Sequence, residues 1–124
     1  MNEREEQIIK QMNSQLKGET ISQIKKRRGG KIKFPVYYKE AFIGADLGEL
    51  ELSVRAYNGL RRAGFQKVGD LVEGISGIDD LARIRNLGQK SIEEIMMKLF
   101  IFHYSTVKPE KQIAYMDRVA ELNK

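Results

Sequence analysis

Residues 85–95, Arg85-Asn86-Leu87-Gly88-Gln89-Lys90-Ser91-Ile92-Glu93-Glu94-Ile95, carry the reading of the fold. Asn86-Leu87-Gly88 has the composition of a tight hairpin. Behind it Ile92, Ile95, Met96 and Leu99 recur at helical spacing, which predicts a long helix. A second decisive stretch lies upstream, Leu52-Ser53-Val54-Arg55-Ala56-Tyr57-Asn58-Gly59-Leu60-Arg61-Arg62. Ser53 is a good N-cap. Val54, Tyr57 and Leu60 are expected to face one way, and Gly64 to end the helix. Between the two stretches, Val68, Leu71, Val72 and Ile75 predict another helix. Ser76 with Asp79 is a capping-box-like start for the next, carrying Ile78, Leu81 and Ile84. The prediction is all-α: two short helix–turn–helix units in tandem, each turning at a glycine, a helix-hairpin-helix domain.

Polar residues on these elements are the candidates for contact. Arg55, Asn58 and Arg62 sit at i, i+3 and i+7 and form one stripe. Gly59 lies beside it in mid-helix, where Gly costs about 1 kcal/mol against Ala. That cost is recovered if a ligand approaches the backbone there, or if a neighbouring helix packs closely; the sequence leaves both open. At the hairpin, Gly88 precedes a helix whose first N–H groups lack intrahelical partners and favour an anion. Lys90 adds charge and Ser91 a hydroxyl. Alone, Gly-x-Lys-Ser is also what any capped helix start looks like. Together with the Arg55/Asn58 stripe, phosphate binding is the better reading.

Outward from this core the sequence takes on a different character. Ile8, Ile9, Met12 and Leu16 mark one face of an N-terminal helix that starts at Glu3, Glu5 and Glu6, where the dipole favours acids. A second short helix carries Ile21 and Ile24 and ends in Lys25-Lys26-Arg27-Arg28-Gly29-Gly30. The pair around Gly18 has the outline of a helix-turn-helix. Residues 31–38 are β-prone, but Pro35 interrupts any ladder. Near the C-terminus Pro109 is placed to open a helix with Ile113, Met116 and Ala120 inward. The expected layout is a basic helical arm over 1–30, an extended linker over 31–46, a helix-hairpin-helix domain over 47–104 and an extra helix over 105–124.

Charge separates these parts. The 124 residues carry a formal net charge of +5. Residues 1–40 hold ten Lys/Arg against five Asp/Glu, and residues 41–124 hold twelve of each. The excess suggests a polyanionic partner, with Lys25, Lys26, Arg27 and Arg28 as a secondary basic patch; a solvated arm has the same signature. Several classes are excluded. The sequence has no Cys and one His, so a disulfide framework, thiol catalysis and a multi-His metal site within one protomer are ruled out. Asp79-Asp80 and Glu93-Glu94 are adjacent on helices and do not face each other. His103 has no partner at a telling spacing and reads as structural. No dinucleotide or phosphate-loop glycine spacing is present. No run is long enough to span a membrane, and no secretory signal opens the sequence. The expectation is a cytoplasmic, non-enzymatic protein without cofactor or metal.

Residues 47–100 resemble the C-terminal domain of the bacterial RNA polymerase α subunit. The resemblance rests on Leu52-Ser53-Val54-Arg55-Ala56-Tyr57-Asn58 with Leu60 and on Arg85-Asn86-Leu87-Gly88-Gln89-Lys90-Ser91 with Glu94, in the same order and about 30 residues apart. It implies a compact helical domain that binds the minor groove of A·T-rich promoter DNA and docks on activators and sigma factor. Arg55 matches the arginine that enters the groove, and Asn58 its helical partner. Asn86, Gly88, Lys90 and Ser91 match the hairpin contacts to sugar and phosphate. Narrow A-tract grooves concentrate negative potential and attract Arg, in keeping with this. Gln89 stands where the family is often basic, and Gly59 where it usually has a side chain. The large N-terminal assembly domain of an α subunit has no counterpart here. The resemblance thus implies a small stand-alone, nucleoid-associated relative that binds DNA. The alternative is an adaptor that holds polymerase, sigma factor or another DNA-processing protein.

Overall fold

Capping residues set where the helices begin. In a computed structural model that describes residues 2–74 and 81–124, Asn2 and Glu5 form a reciprocal capping box for α1, Glu3–Gln15. Thr20 and Gln23 do the same for α2, Ile21–Arg27. Three further helices follow: α3, Glu40–Ile43; α4, Val54–Arg62; and α5, Val68–Gly74. Next comes the long α6, Gln89–Ser105, and last α7, Gln112–Leu122. Short 3-10 turns lie at Leu47–Leu50 and Pro109–Lys111. The described residues form no strand beyond one isolated bridge between Asp46 and Lys67. The all-helical architecture is as expected. The expected helix start at Ser76 and Asp79, with Ile75, Gly77 and Ile78, lies outside the described residues.

The protein divides into two compact units: a central one, Tyr37–Phe102, and a terminal one built from Met1–Val36 and His103–Lys124. The grouping differs from the layout expected of the sequence. Residues 1–30 are not an isolated arm, and 105–124 are not an isolated appendage. Helix α1 packs on α7, and their side chains are stitched together. Gln11 Nε2 donates to Gln112 Oε1 at 2.9 Å, and the buried Tyr104 hydroxyl donates to Gln15 Oε1 at 2.7 Å. Met12, Ile21, Ile24, Tyr115, Met116 and Val119 fill the interior of this unit. His103 is fully buried, its Nδ1 2.8 Å from the Tyr115 hydroxyl. The inward face of α7 is Gln112, Tyr115, Met116 and Val119; Ile113, expected inward, is 59% exposed. Pro109 opens the 3-10 turn, and this shifts the phase of the helix that follows.

The central unit also starts earlier than residue 47. Phe42 on α3 is completely buried and stacks on Phe102 with ring centroids 5.9 Å apart. The segment after α3 pairs with the turn before α5: Leu47 N–H donates to Gln66 O at 3.1 Å and Val68 N–H to Ala45 O at 2.8 Å. Helix α5 then lies so close to α3 that a Cβ on Gly69 would sit 2.6 Å from the Ile43 carbonyl oxygen. Only a residue without Cβ allows that approach. Leu60, Val68, Leu71, Leu81, Ile92 and Ile95 form the interior. Val54 was expected among them and is instead 76% exposed; Ala56, Gly59 and Leu60 are the buried face of α4.

Candidate nucleic-acid interface

The two motifs sit about 30 residues apart in sequence, and two contacts bring them together. The first is apolar. Leu87, at the tip of the second hairpin, is buried against α4, and a Cβ on Gly59 would meet its Cδ2 at 2.8 Å. Gly59 is therefore interior. It was a candidate contact residue, and the structure corrects that: its missing side chain makes room for Leu87 and offers no surface to a ligand. The second contact is polar. Glu94 on α6 accepts the Ser53 N–H through Oε2 and the Ser53 hydroxyl through Oε1 at 2.8 Å. The Ser53 oxygen in turn accepts the Ala56 N–H at 3.3 Å. A carboxylate from one helix thus completes the cap of another, at the end where the dipole favours negative charge.

This arrangement fixes the first turn of α4, which carries Arg55. Arg55, Asn58 and Arg62 are all exposed along that helix. None of them makes an ion pair or a side-chain hydrogen bond among the described residues. Arg61, on the same helix, lies over the Tyr57 ring at 5.9 Å. At the hairpin, Asn86, Gly88, Gln89 and Lys90 are exposed. Asn86 has φ 68°, a left-handed conformation that Asn tolerates better than most residues, so its backbone has a structural role as well. Gly88 accepts the first helical bond of α6, from Ile92 N–H at 3.0 Å. Nothing lies within 4 Å of the position its Cβ would take. The backbone there is open to solvent. Ser91 is only 6% exposed, so its hydroxyl is less available than expected.

Glu94 is the residue whose role the sequence did not reveal. It belongs to the second motif, but its partner is 41 positions away, and no local spacing rule reaches that far. In the terminal unit the basic cluster is likewise uneven. Arg27 is held by Glu19 through two bonds of 3.0 Å and also donates to the Asn123 carbonyl, which removes it from the expected patch. Lys26 is exposed, while Lys25 and Arg28 are half-buried. Among the described residues no group of His, Cys, Asp or Glu could hold a metal ion. No helix among them is long and apolar enough to cross a membrane.

Comparison with known proteins follows the central unit closely. Residues 39–100 match the family model for the C-terminal domain of the alpha subunit of bacterial RNA polymerase. The protein belongs to this family. The match spans both motifs and begins at α3, as the contact pattern does. Relatives in the family include the DNA-directed RNA polymerase subunit alpha of Syntrophomonas wolfei, 47% identical over 72 residues, which are 58% of this protein and 22% of that one. The subunit of Limosilactobacillus reuteri is 47% identical over 62 residues, 50% of this protein and 19% of its own length. That of Clostridium botulinum strain Hall is 48% identical over 61 residues, 49% and 19% respectively. The match thus spans about a fifth of the length of these relatives. No solved structure matches. Membership of the α C-terminal-domain family carries the coarse function, a DNA-binding and transcription-associated domain.

Proposed function

We propose that the central unit binds the minor groove of A·T-rich duplex DNA and acts as a small transcription-associated factor. Arg55 enters the groove and Asn58 contacts its edge. The backbone at Gly88, with Lys90 and the exposed side of Asn86, takes the flanking sugar and phosphate, and Arg62 extends the contact along α4. The observation that carries this reading is the juxtaposition of an uncommitted Arg55 and an open Gly88 backbone, locked together by Glu94–Ser53 and Leu87–Gly59. Overall charge does not supply the attraction, since residues 37–102 hold nine Lys/Arg against ten Asp/Glu. Recognition in such a unit must come from a few placed groups, the regime in which phosphate contacts position and groove contacts specify. Fluorescence anisotropy on A-tract and G·C duplexes tests it. The full-length protein should prefer the A-tract, and Arg55→Ala should lose most of that binding. Equal affinity for both duplexes would sink the minor-groove reading.

A second reading rests on Val54. It is the most exposed large apolar side chain among the described residues, and it adjoins Arg55. An apolar residue so placed suits a protein partner. In this reading the unit is an adaptor that docks on RNA polymerase, sigma factor or another DNA-processing protein. Val54→Ser would abolish pull-down of that partner and leave DNA binding intact.

A further inference from the structure

We infer that the terminal unit, residues 1–36 with 103–124, is a second DNA-binding unit that grips duplex phosphates without reading sequence; this rests on the central unit being a DNA reader. The charge of the protein is divided between the two units. The terminal unit holds thirteen Lys/Arg against seven Asp/Glu, while the central one is close to neutral. The excess is presented by a folded surface. Lys10, Lys17, Lys26 and Lys33 are exposed and Lys25 half-buried, and none of these side chains is in an ion pair among the described residues. Lys33 is pinned: Asn123 Oδ1 accepts its N–H at 2.9 Å and Asn123 Nδ2 donates to its carbonyl at 2.7 Å. Gly30 N–H donates to Lys25 O at 2.8 Å, which closes the end of α2 and turns the backbone toward Lys33. A pre-folded cationic surface loses less entropy on binding than a disordered tail.

The chemistry of the uncommitted groups says what kind of contact this is. Base edges are read by planar, bidentate side chains such as Arg, Asn and Gln. On α2 those groups are taken. Gln23 is occupied by the capping box with Thr20, and Arg27 by Glu19. What remains is lysine, a point charge suited to phosphate and indifferent to sequence. The surface does not suit a membrane or an acidic protein partner equally well. Ile21 and Ile24, the apolar residues of α2, are buried. A helix that lies on lipid needs an exposed apolar face, and protein interfaces are depleted in Lys at their centres. Joined covalently, the two units would raise each other's effective concentration on the same duplex.

The test uses the full-length protein with Lys17→Gln, Lys25→Gln, Lys26→Gln and Lys33→Gln combined, beside the same four positions changed to Arg and beside Arg55→Ala. Binding to A·T-rich and G·C-rich duplexes is measured across a potassium chloride series. Each phosphate neutralised adds about 0.9 to the magnitude of the salt slope, so the Gln variant should flatten it by roughly 2–4 units. Its affinity should fall equally for both duplexes, and the Arg variant should behave as wild type. An unchanged slope in a Gln variant that still prefers A·T overturns this inference and leaves the central reader standing. Loss of the A·T preference in that variant also overturns it, since the terminal unit would then read sequence. Failure of the wild type to bind any duplex overturns the reading of the central unit, and this inference with it.

Discussion

Arg55 is the residue on which DNA binding turns. It is exposed, unpaired among the described residues, and sits in the first turn of a helix whose start is capped twice over. Arg55→Ala should weaken A-tract binding by roughly 1–3 kcal/mol with little change in thermal stability. Wild-type affinity in a well-folded mutant would refute the assignment. Gly88 gives a second, different prediction. A Cβ there meets nothing within the protein, so Gly88→Val should lose only about 1 kcal/mol of stability, from the poorer N-cap. Its branched side chain would nevertheless stand between a phosphate and the first amides of α6. A clear loss of affinity in a stable protein is expected, and an unaffected affinity would reduce the hairpin to a structural turn. Glu94→Ala acts through Ser53 and not through the ligand. It should lower stability by about 0.5–2 kcal/mol, the usual range for a lost cap, and reduce binding less than Arg55→Ala does. Urea titration and anisotropy on the same samples separate the two effects.

Among the elements, α5 makes the most demanding fit. Gly69 faces backbone, and the Ile43 carbonyl cannot rotate aside as the end of a leucine can at Gly59. Gly69→Ala should therefore cost about 1–3 kcal/mol as an overpacking defect, even though Ala favours helix. A urea midpoint at or above wild type would show that α3 and α5 can separate freely. The start of α5 also gives a pH dependence. Asp70 accepts the Lys67 and Gln66 N–H groups at 3.0 and 3.1 Å, and these bonds hold its carboxyl below the usual aspartate range. A depressed folded pKa means that the stabilisation is complete above the unfolded value, about pH 4, and is lost as pH falls through the lower folded value. Asp70→Asn should remove that part of the acid sensitivity and leave the rest, including the Glu19 contribution, whose carboxyl Arg27 holds low in the same sense. Thermal melts from neutral pH down through this window decide it. Identical acid profiles for mutant and wild type would mean the cap has no energetic weight.

For the molecule as a whole, the division into a central and a terminal unit changes what a truncation does. Removing residues 1–40 would not simply strip cations from the protein. It would take away α1 and α2, against which Tyr104, Gln112, Tyr115 and Met116 are buried, and with them the Gln11–Gln112 and Gln15–Tyr104 bonds. It would also remove Phe34, whose ring lies 5.7 Å from the His103 ring. The expected outcome is an aggregation-prone fragment that binds a hydrophobic dye, since α7 alone exposes an apolar face. A monomeric, dye-silent 41–124 fragment would show that α7 does not need α1. Charge-neutral substitution, not deletion, is thus the clean way to probe the basic surface.

The local signals in the sequence were sufficient for helices and caps. Ser53, the Ile21/Ile24 pair and the break at Gly64 act over three or four residues, and their physics is complete within that span. The two motifs were legible as well, because Arg55, Asn58, Gly88 and Lys90 are exposed and their residue types are not dictated by packing. Helical spacing alone could not fix which face of a short helix turns inward. Val54 and Ile113 fit an apolar stripe yet are exposed, while Gly59 and Gln112 are buried. In a helix of two or three turns the stripe can rotate by one position at little cost, and the neighbours decide. The neighbours lie far along the sequence: Leu87 for Gly59, Glu94 for Ser53, Gln11 for Gln112. Sequence spacing carries no information about such pairs, because the loop between them can close at many separations with nearly equal entropy. Only the folded structure could reveal that the first 36 residues and the last 22 share one core.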